Sequence, residues 1–178
     1  MPDALALHAP VIERGSDLGI DRAAEAVDGA GQRELRGAER AAGVARHLGL
    51  EPRVAFVSFS TFGYPVSERA EKMHMAPAVL DARGVDFEYE GEMTVDVALN
   101  TDAQKSYPFS RLTGPANILV VPARHSASIS VKLMQEMGGA TVIGPILSGI
   151  DQSIQICASN STANDILNMA VLSACKVG

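Results

Sequence analysis

The sequence predicts an α/β fold in which a mostly parallel sheet is flanked by helices. Segments of strand character alternate with segments of helical character along most of the chain, which is the pattern of such folds. Two strand candidates, at residues 117–121 and 140–147, are continuous apolar runs, as is typical of strands buried on both faces. The chain has 178 residues, 47% of them hydrophobic and 20% charged, which is enough for one domain with its own core.

The N-terminal segment differs in composition from the rest of the chain. Residues 1–38 are rich in Ala, Gly and Arg, and contain neither lysine nor an aromatic residue. Gly29, Gly31 and Gly37 interrupt a stretch that otherwise has helix propensity, and few large apolar residues are available there for burial. We therefore predict a weakly structured N-terminal segment over residues 1–38 and a folded part over residues 39–178.

The first elements of the folded part carry clear start and stop signals. A short helix is expected from Glu39 until Gly49 ends it, followed by a strand over Arg53–Phe59. A second helix is expected between Ser67, a suitable N-cap residue, and Gly84, a suitable stop.

The later elements follow from hydrophobic periodicity. Alternation over residues 85–99 predicts one or two half-buried strands, and residues 117–121 a fully buried strand. A helix that Gly138 ends is expected next, with one apolar face formed by Ile129, Leu133, Met134 and Met137. A buried strand over residues 140–147 and a final apolar helix over residues 162–176 complete the pattern.

Charge and composition exclude several classes of protein. The formal net charge is -6 at pH 7 and the pI is near 5.2, whereas nucleic-acid binding requires a basic patch. No apolar run approaches the roughly 18 residues of a membrane span, and no signal peptide is recognisable. Cys157 and Cys175 do not form a metal-binding spacing, and no cluster of His and carboxylates does so either. We expect a cytoplasmic protein without a metal site, a nucleic-acid partner or a membrane partner.

The stretch SFSTFG, residues 58–63, lies between a predicted strand and a predicted helix. Hydroxyl groups and backbone N–H groups at such a junction can hold a phosphate, which makes Ser58, Ser60 and Thr61 candidate ligand residues. The Gly-Lys-Ser/Thr ending of a P-loop is missing. A simple capped turn is the alternative interpretation.

Three further polar positions are candidates for ligand binding. Arg111 can meet an anion and Asn117 can fix a ligand at a strand end, although a surface arginine and a turn asparagine explain them equally well. His125 stands between a strand end and a helix start, but has no visible acid or nucleophile beside it. Asp165 follows Thr162 at capping-box spacing, and is alternatively a base or a ligand-binding group.

Five long stretches carry a resemblance to a known family: RVAFVSFSTFG, YEGEMTVDVALN, YPFSRLTGPANILVVP, VKLMQEMGGATVIGPILSG and STANDILNMAVLSA. In this order they resemble the C-terminal part of the phosphate acetyltransferase-like domain of bacterial NADP-dependent malic enzymes, over residues 39–178. The resemblance implies a phosphate acetyltransferase or isocitrate dehydrogenase-like fold that is incomplete at its N-terminal side.

The resemblance also implies a function. Complete relatives oxidatively decarboxylate malate to pyruvate with NADP and a divalent metal, both bound by domains that this chain lacks. Their phosphate acetyltransferase-like domain is regarded as regulatory, with acetyl-CoA as effector. The expected partners are therefore an acyl-CoA, the malic enzyme catalytic domains and further copies of the chain. The resemblance is consistent with acyl-CoA or phosphate binding by Ser58, Ser60, Thr61, Arg111, Asn117 and Asp165.

One departure from the family bears on catalysis. Active acetyltransferases carry a Ser-Arg pair shortly before the final helix and an Asp at its start. Asp165 matches the Asp, but the pair is replaced by Ala158 and Ser159. The missing arginine would hold a phosphate or carbonyl oxygen and stabilise developing charge. We therefore assign no catalytic residue and expect no turnover. The alternative is an active phosphate acetyltransferase that moves acetyl groups between CoA and phosphate.

Overall fold

A computed structural model describes residues 31–148 and 152–175. Within them, three parallel strands form one sheet in the order β2-β1-β3. The elements are α1 (Gly31–His47), β1 (Arg53–Val57), α2 (Glu68–Arg83), β2 (Glu88–Met93), α3 (Val95–Leu99), α4 (Thr101–Gln104), β3 (Ile118–Val120), α5 (Arg124–Gly138) and α6 (Ala163–Ala174). The predicted α/β class, a parallel sheet with flanking helices, is confirmed.

The core lies on both faces of the central strand β1. Alternate β1 residues point to opposite faces because side chains alternate along a strand. Val54 and Phe56 pack against α1 and α2, in a cluster that includes Leu35, Met73 and Leu80. Ala55 and Val57 pack against a second cluster formed by Met93, Val97, Ala98, Leu112 and Ala116. This two-sided burial explains why β1 is apolar from Val54 to Val57.

The predicted boundary after residue 38 falls inside α1. The helix begins at Gly31, and Leu35 and Ala38 are fully buried in the first core cluster. Residues 31–38 therefore belong to the packed part of the chain, because these two side chains give the segment an apolar face despite Gly37. The prediction of weak structure for residues 1–30 lies outside the described residues.

The strand expected over residues 85–99 is correct only in its first half. β2 ends at Met93, and the next residues form the short helix α3. A strand would bury positions 95, 97 and 99 on one face, but Val95 and Leu99 are 47% and 41% exposed while Val97 and Ala98 are buried. The buried residues Val97 and Ala98 are adjacent in sequence, so a helical turn buries both side chains more readily than a strand does.

The buried strand expected over residues 140–147 is wrong, because residues 140–148 contain no regular secondary structure. Their main apolar anchor, Ile146, packs against Val44 of α1 and Leu172 of α6. Pro145 has no N–H to donate to a strand ladder, which disfavours pairing at this point. Within the described residues β3 is consequently an edge strand, and only Ile118 of its three residues is buried.

The helices expected near the C-terminus are present as α5 and α6, but their apolar faces are not covered. The predicted face of α5, formed by Ile129, Leu133, Met134 and Met137, is exposed, with Met137 at 83%. Ala127 and Met169 are the buried residues of α5 and α6. In the part of the chain that the structure describes, no helix has the length and apolar character that crossing a bilayer requires.

Candidate functional site

The loop after β1 encloses a buried carboxylate. The side chain of Glu92, near the end of β2, is completely inaccessible to solvent. Its Oε1 accepts hydrogen bonds from Ser60 Oγ at 2.7 Å and from the Gly63 N–H at 2.9 Å, and its Oε2 is 2.7 Å from His74 Nδ1. Burial by itself raises the pKa of Glu92, but the hydrogen bonds from these three residues outweigh it and hold the pKa below its usual value.

The other two predicted phosphate ligands in this loop are also engaged within the protein. The Thr61 hydroxyl accepts from the Thr94 N–H at 3.1 Å, and the Ser58 hydroxyl lies 3.5 Å from that of Ser60. The loop therefore does hold an anion, but the anion is the carboxylate of Glu92. Phosphate binding by Ser58, Ser60 and Thr61 stays a prediction.

Arg111 connects the edge strand β2 to the end of α2. Its backbone N–H and its Nε donate to Glu90 Oε2 at 3.0 and 3.2 Å, and its Nη1 donates to Asp81 at 2.6 Å. The guanidinium also lies over the Tyr89 ring, 4.7 Å from its centroid. The Tyr89 hydroxyl and then Arg111 lower the pKa of Asp81. Arg111 thus already has anionic partners within the protein, and its role toward a ligand stays a prediction.

Asn117 lies at the opposite end of the sheet from the Ser58–Gly63 loop. It precedes β3, where its Oδ1 accepts from the Arg53 N–H at 2.8 Å and its Nδ2 donates to the Glu51 carbonyl at 2.8 Å. The loop, in contrast, follows the carboxyl end of β1. Because the strands are parallel, the two candidate sites are separated by the length of the sheet.

A cleft of about 530 Å³ lies between α5, α6 and the two segments 142–145 and 156–161. This volume is in the range of small-molecule sites. Arg124 and Lys132 of α5 line it on one side and Asp165 of α6 on the other. Of the six predicted ligand residues, all within the described part of the chain, Asp165 alone lines the cleft. Ala158, where the family resemblance places the missing serine, lines it too.

Asp165 is held by its neighbour Thr162. Its Oδ2 accepts from both the N–H and the hydroxyl of Thr162, each at 2.8 Å, and the Thr162 hydroxyl accepts from the Asp165 N–H at 3.2 Å. The backbone bond and then the hydroxyl bond lower the pKa of Asp165. The predicted capping box is confirmed. The same residue also lines the cleft, so the capping and ligand-binding interpretations are compatible.

Sequence reasoning missed most of the cleft. It considered His125, whereas the neighbouring Arg124 is the residue that lines the site. A signal was available, because Arg124, Ser128 and Lys132 are spaced four residues apart and therefore share one face of a helix. Within the described residues, no group of three or more His, Cys, Asp or Glu side chains is arranged to hold a metal ion.

Comparisons with known sequences show which proteins this chain resembles. The family model described as "Phosphate acetyl/butaryl transferase" matches residues 34–174. The NADP-dependent malic enzyme of Rhizobium meliloti (strain 1021) is 54% identical over 141 residues, which are 79% of this chain and 18% of that protein. The phosphate acetyltransferase of Bacillus subtilis (strain 168) is 32% identical over 136 residues, 76% of this chain and 42% of the enzyme. The chain thus spans less than half the length of either relative.

Solved structures give the same picture. The EutD phosphotransacetylase from Staphylococcus aureus superposes with a TM-score of 0.75 over 92% of this chain and 48% of that one; at 24% identity it supports the fold alone. A phosphotransacetylase from Streptococcus pyogenes gives a TM-score of 0.76 at 29% identity, covering 85% of this chain and 46% of the other.

Proposed function

Since this chain belongs to the phosphate acetyl/butaryl transferase family, whose model matches residues 34–174, we propose that it is a regulatory acyl-CoA-binding and oligomerisation domain of an NADP-dependent malic enzyme. In the complete protein, the other domains would bind NADP and a divalent metal and oxidatively decarboxylate malate to pyruvate in the cytoplasm. The observation that carries the proposal is the cleft between α5 and α6.

The charges of the cleft suit a ligand with one anionic end. Arg124 and Lys132 are eight residues apart on α5, so their Cα atoms are separated by about 12 Å along the helix. Two separated cations match the phosphates of CoA better than one compact anion. Asp165 on the opposite wall and Glu136 at the far end of α5 repel phosphate and accept hydrogen bonds, which favours the neutral amide-containing arm of an acyl-CoA beside them.

The cleft has lost a feature that turnover needs. Ala158 and Ser159 offer no guanidinium where active acetyltransferases carry an arginine. Removing one such charge-stabilising donor costs an enzyme about 3 kcal/mol or more of transition-state stabilisation. This loss supports binding without catalysis.

Binding is tested by isothermal titration of the full chain with acetyl-CoA. Arg124→Ala and Lys132→Ala should each weaken binding about tenfold, because each removes a charge-assisted contact. Lys105→Ala is the matched control, since Lys105 pairs with Asp102 and does not line the cleft. Absence of binding by the unaltered chain, or equal weakening by the control, would contradict the proposal.

The alternative function, an active phosphate acetyltransferase, is favoured by the similarity to the Bacillus subtilis enzyme and by Asp165. It predicts release of free thiol when acetyl-CoA and phosphate are mixed with the chain. The regulatory proposal predicts thiol release at background level, so sustained turnover would select the alternative.

The proposed oligomerisation uses the exposed apolar faces of α5 and α6. Their large uncovered side chains are Ile129, Leu133, Met134, Met137, Ile166, Leu167 and Val171. A contiguous apolar surface favours association, and two-fold dimers are the commonest closed assembly. Light scattering over a concentration series should give the mass of two chains. A constant mass of 18.7 kDa at micromolar concentration would refute the dimer.

A further inference from the structure

Within the described residues, the hydrogen bonds to the Asp165 carboxylate come from one neighbour, Thr162. Both hydrogen bonds from Thr162 go to Oδ2, at 2.8 Å each, and neither uses Oδ1. The carboxylate group of an aspartate otherwise rotates over a broad range. Fixing one oxygen to Thr162 therefore also fixes the direction of the other.

We propose that Thr162 is a positioning residue for ligand binding: its hydroxyl orients the Asp165 carboxylate so that Oδ1 accepts a hydrogen bond from a ligand in the cleft. This inference rests on the proposed function, because it assumes that the cleft holds an acyl-CoA. Thr162 itself is not among the residues that line the cleft.

The surroundings of Asp165 give this orientation a consequence. The charged or titratable side chains that share the cleft with it are Arg124, Lys132 and Glu136 of α5, and Cys157 of the segment 156–161. An untethered carboxylate in this cleft can turn toward Arg124 or Lys132 and neutralise the charges that an anionic ligand needs. A tethered Asp165 does not compete with the ligand in this way, although Glu136, four residues after Lys132 on α5, shares the cleft with it. The lowered pKa of Asp165 agrees with a carboxylate that stays ionised near neutral pH.

The competing explanation is that the hydroxyl only caps α6. The two explanations can be distinguished experimentally, because glycine is nearly as favourable as threonine at an N-cap position but has no hydroxyl. Thr162→Gly thus preserves much of the cap preference and removes the hydroxyl donor to Asp165, while the backbone N–H donor at position 162 remains. Thr162→Ser retains both the cap and the donor.

The test measures acetyl-CoA binding by titration calorimetry for the full chain and four variants: Thr162→Ser, Thr162→Gly, Asp165→Asn, and the last two combined. Thr162→Ser should bind as the unaltered chain does, and Thr162→Gly more weakly, because it loses the hydroxyl bond to Oδ2 and keeps the bond from the backbone N–H. In the Asp165→Asn background, Thr162→Gly should add little, because residues that act through one another are not additive. An NMR titration of the Asp165 carboxyl should also show a higher pKa in Thr162→Gly, a shift that loss of helix packing alone does not require.

The possible results distinguish failure of the positioning role from failure of the proposed function. If the unaltered chain does not bind acetyl-CoA, the proposed function fails and this inference fails with it. If the unaltered chain binds and Asp165→Asn weakens binding while Thr162→Gly does not, the positioning role is wrong and the proposed function stands. The positioning role is equally wrong if Thr162→Ser is as weak as Thr162→Gly, or if the Thr162 and Asp165 effects simply add.

Discussion

Replacing Glu92 tests the most tightly constrained polar group in the described core. Its buried carboxylate joins three parts of the chain: β2, the loop after β1 through Ser60 and Gly63, and α2 through His74. An ionised carboxylate can only accept hydrogen bonds, so His74 Nδ1 must carry the proton in this contact. Glu92→Gln keeps the shape of the side chain but removes its charge.

The expected destabilisation follows from the number and type of bonds. The glutamine carbonyl still accepts from Ser60 and Gly63, while its amide requires His74 to accept instead of donating. The change therefore weakens charge-assisted bonds without deleting all of them, which should cost about 1–2 kcal/mol. Glu92→Ala leaves the Ser60 and Gly63 donors unsatisfied and creates a cavity, so it should cost about 3–5 kcal/mol.

The effect of Glu92→Gln should depend on pH in one direction. The pKa of Glu92 in the folded chain lies below its ordinary value of 4.5. A lowered carboxyl pKa gives stability that is fully present above that ordinary value and is lost as the pH falls through the folded-state pKa. The stability difference between the unaltered chain and Glu92→Gln should therefore be largest near neutral pH and shrink in acid.

Urea unfolding at a series of pH values measures this difference. Glu51→Gln is the matched control, since Glu51 is exposed, and it should change the free energy of unfolding by less than about 0.5 kcal/mol. The reasoning is refuted if Glu92→Gln matches this control at pH 7, or if its effect does not change between pH 7 and pH 4.

Three further changes test other parts of the structure. Gly91→Ala should destabilise the chain by about 3 kcal/mol or more in urea unfolding, because Gly91 has a φ of +150° and an added Cβ would lie 2.7 Å from the Phe56 carbonyl oxygen. Arg111→Ala should cost about 2–3 kcal/mol by leaving the buried Glu90 without its guanidinium, with Arg111→Lys intermediate; equal stability of all three forms would contradict this. Leu133→Glu should reduce the mass measured by light scattering toward that of a monomer, because Leu133 is exposed within the chain, and should lower the melting temperature only by the stability that association contributes.

The sequence predicts those elements of the fold whose burial is decided locally. β1 is apolar after its first residue and packed on both faces, and its start at Arg53 is predicted correctly. The helix between Ser67 and Gly84 is bounded correctly because Gly84 has a φ of +65°, a conformation that favours glycine. The segment 140–148 is mispredicted because its buried apolar residue, Ile146, packs between helices, which periodicity does not distinguish from pairing in a sheet.

The site is harder to predict because a sequence pattern that can bind an anion does not show which anion it binds. The SFSTFG stretch has the hydroxyl and backbone donors of a phosphate loop, and those donors are used on Glu92, some 30 residues away in sequence. The side-chain amide of Asn117 is likewise used within the fold, because it continues the hydrogen bonding between β1 and β3. Local sequence shows that a hydrogen-bond donor is present, but the fold determines which acceptor lies within hydrogen-bond distance of it.

For the cleft, in contrast, the local sequence pattern carries enough information to identify residues that line it. Helix α5 has two distinct faces: one with Arg124, Ser128 and Lys132 toward the cleft, the other with exposed apolar residues including Leu133 and Met137. Neither face is buried in the chain's own core, which contacts α5 through Ala127. The polar face of this helix lines a cleft and its apolar face is uncovered. The stability of this chain alone therefore explains little of the helix's sequence. Ligand binding on one face and association on the other would account for both faces together, and calorimetry and light scattering test the two independently.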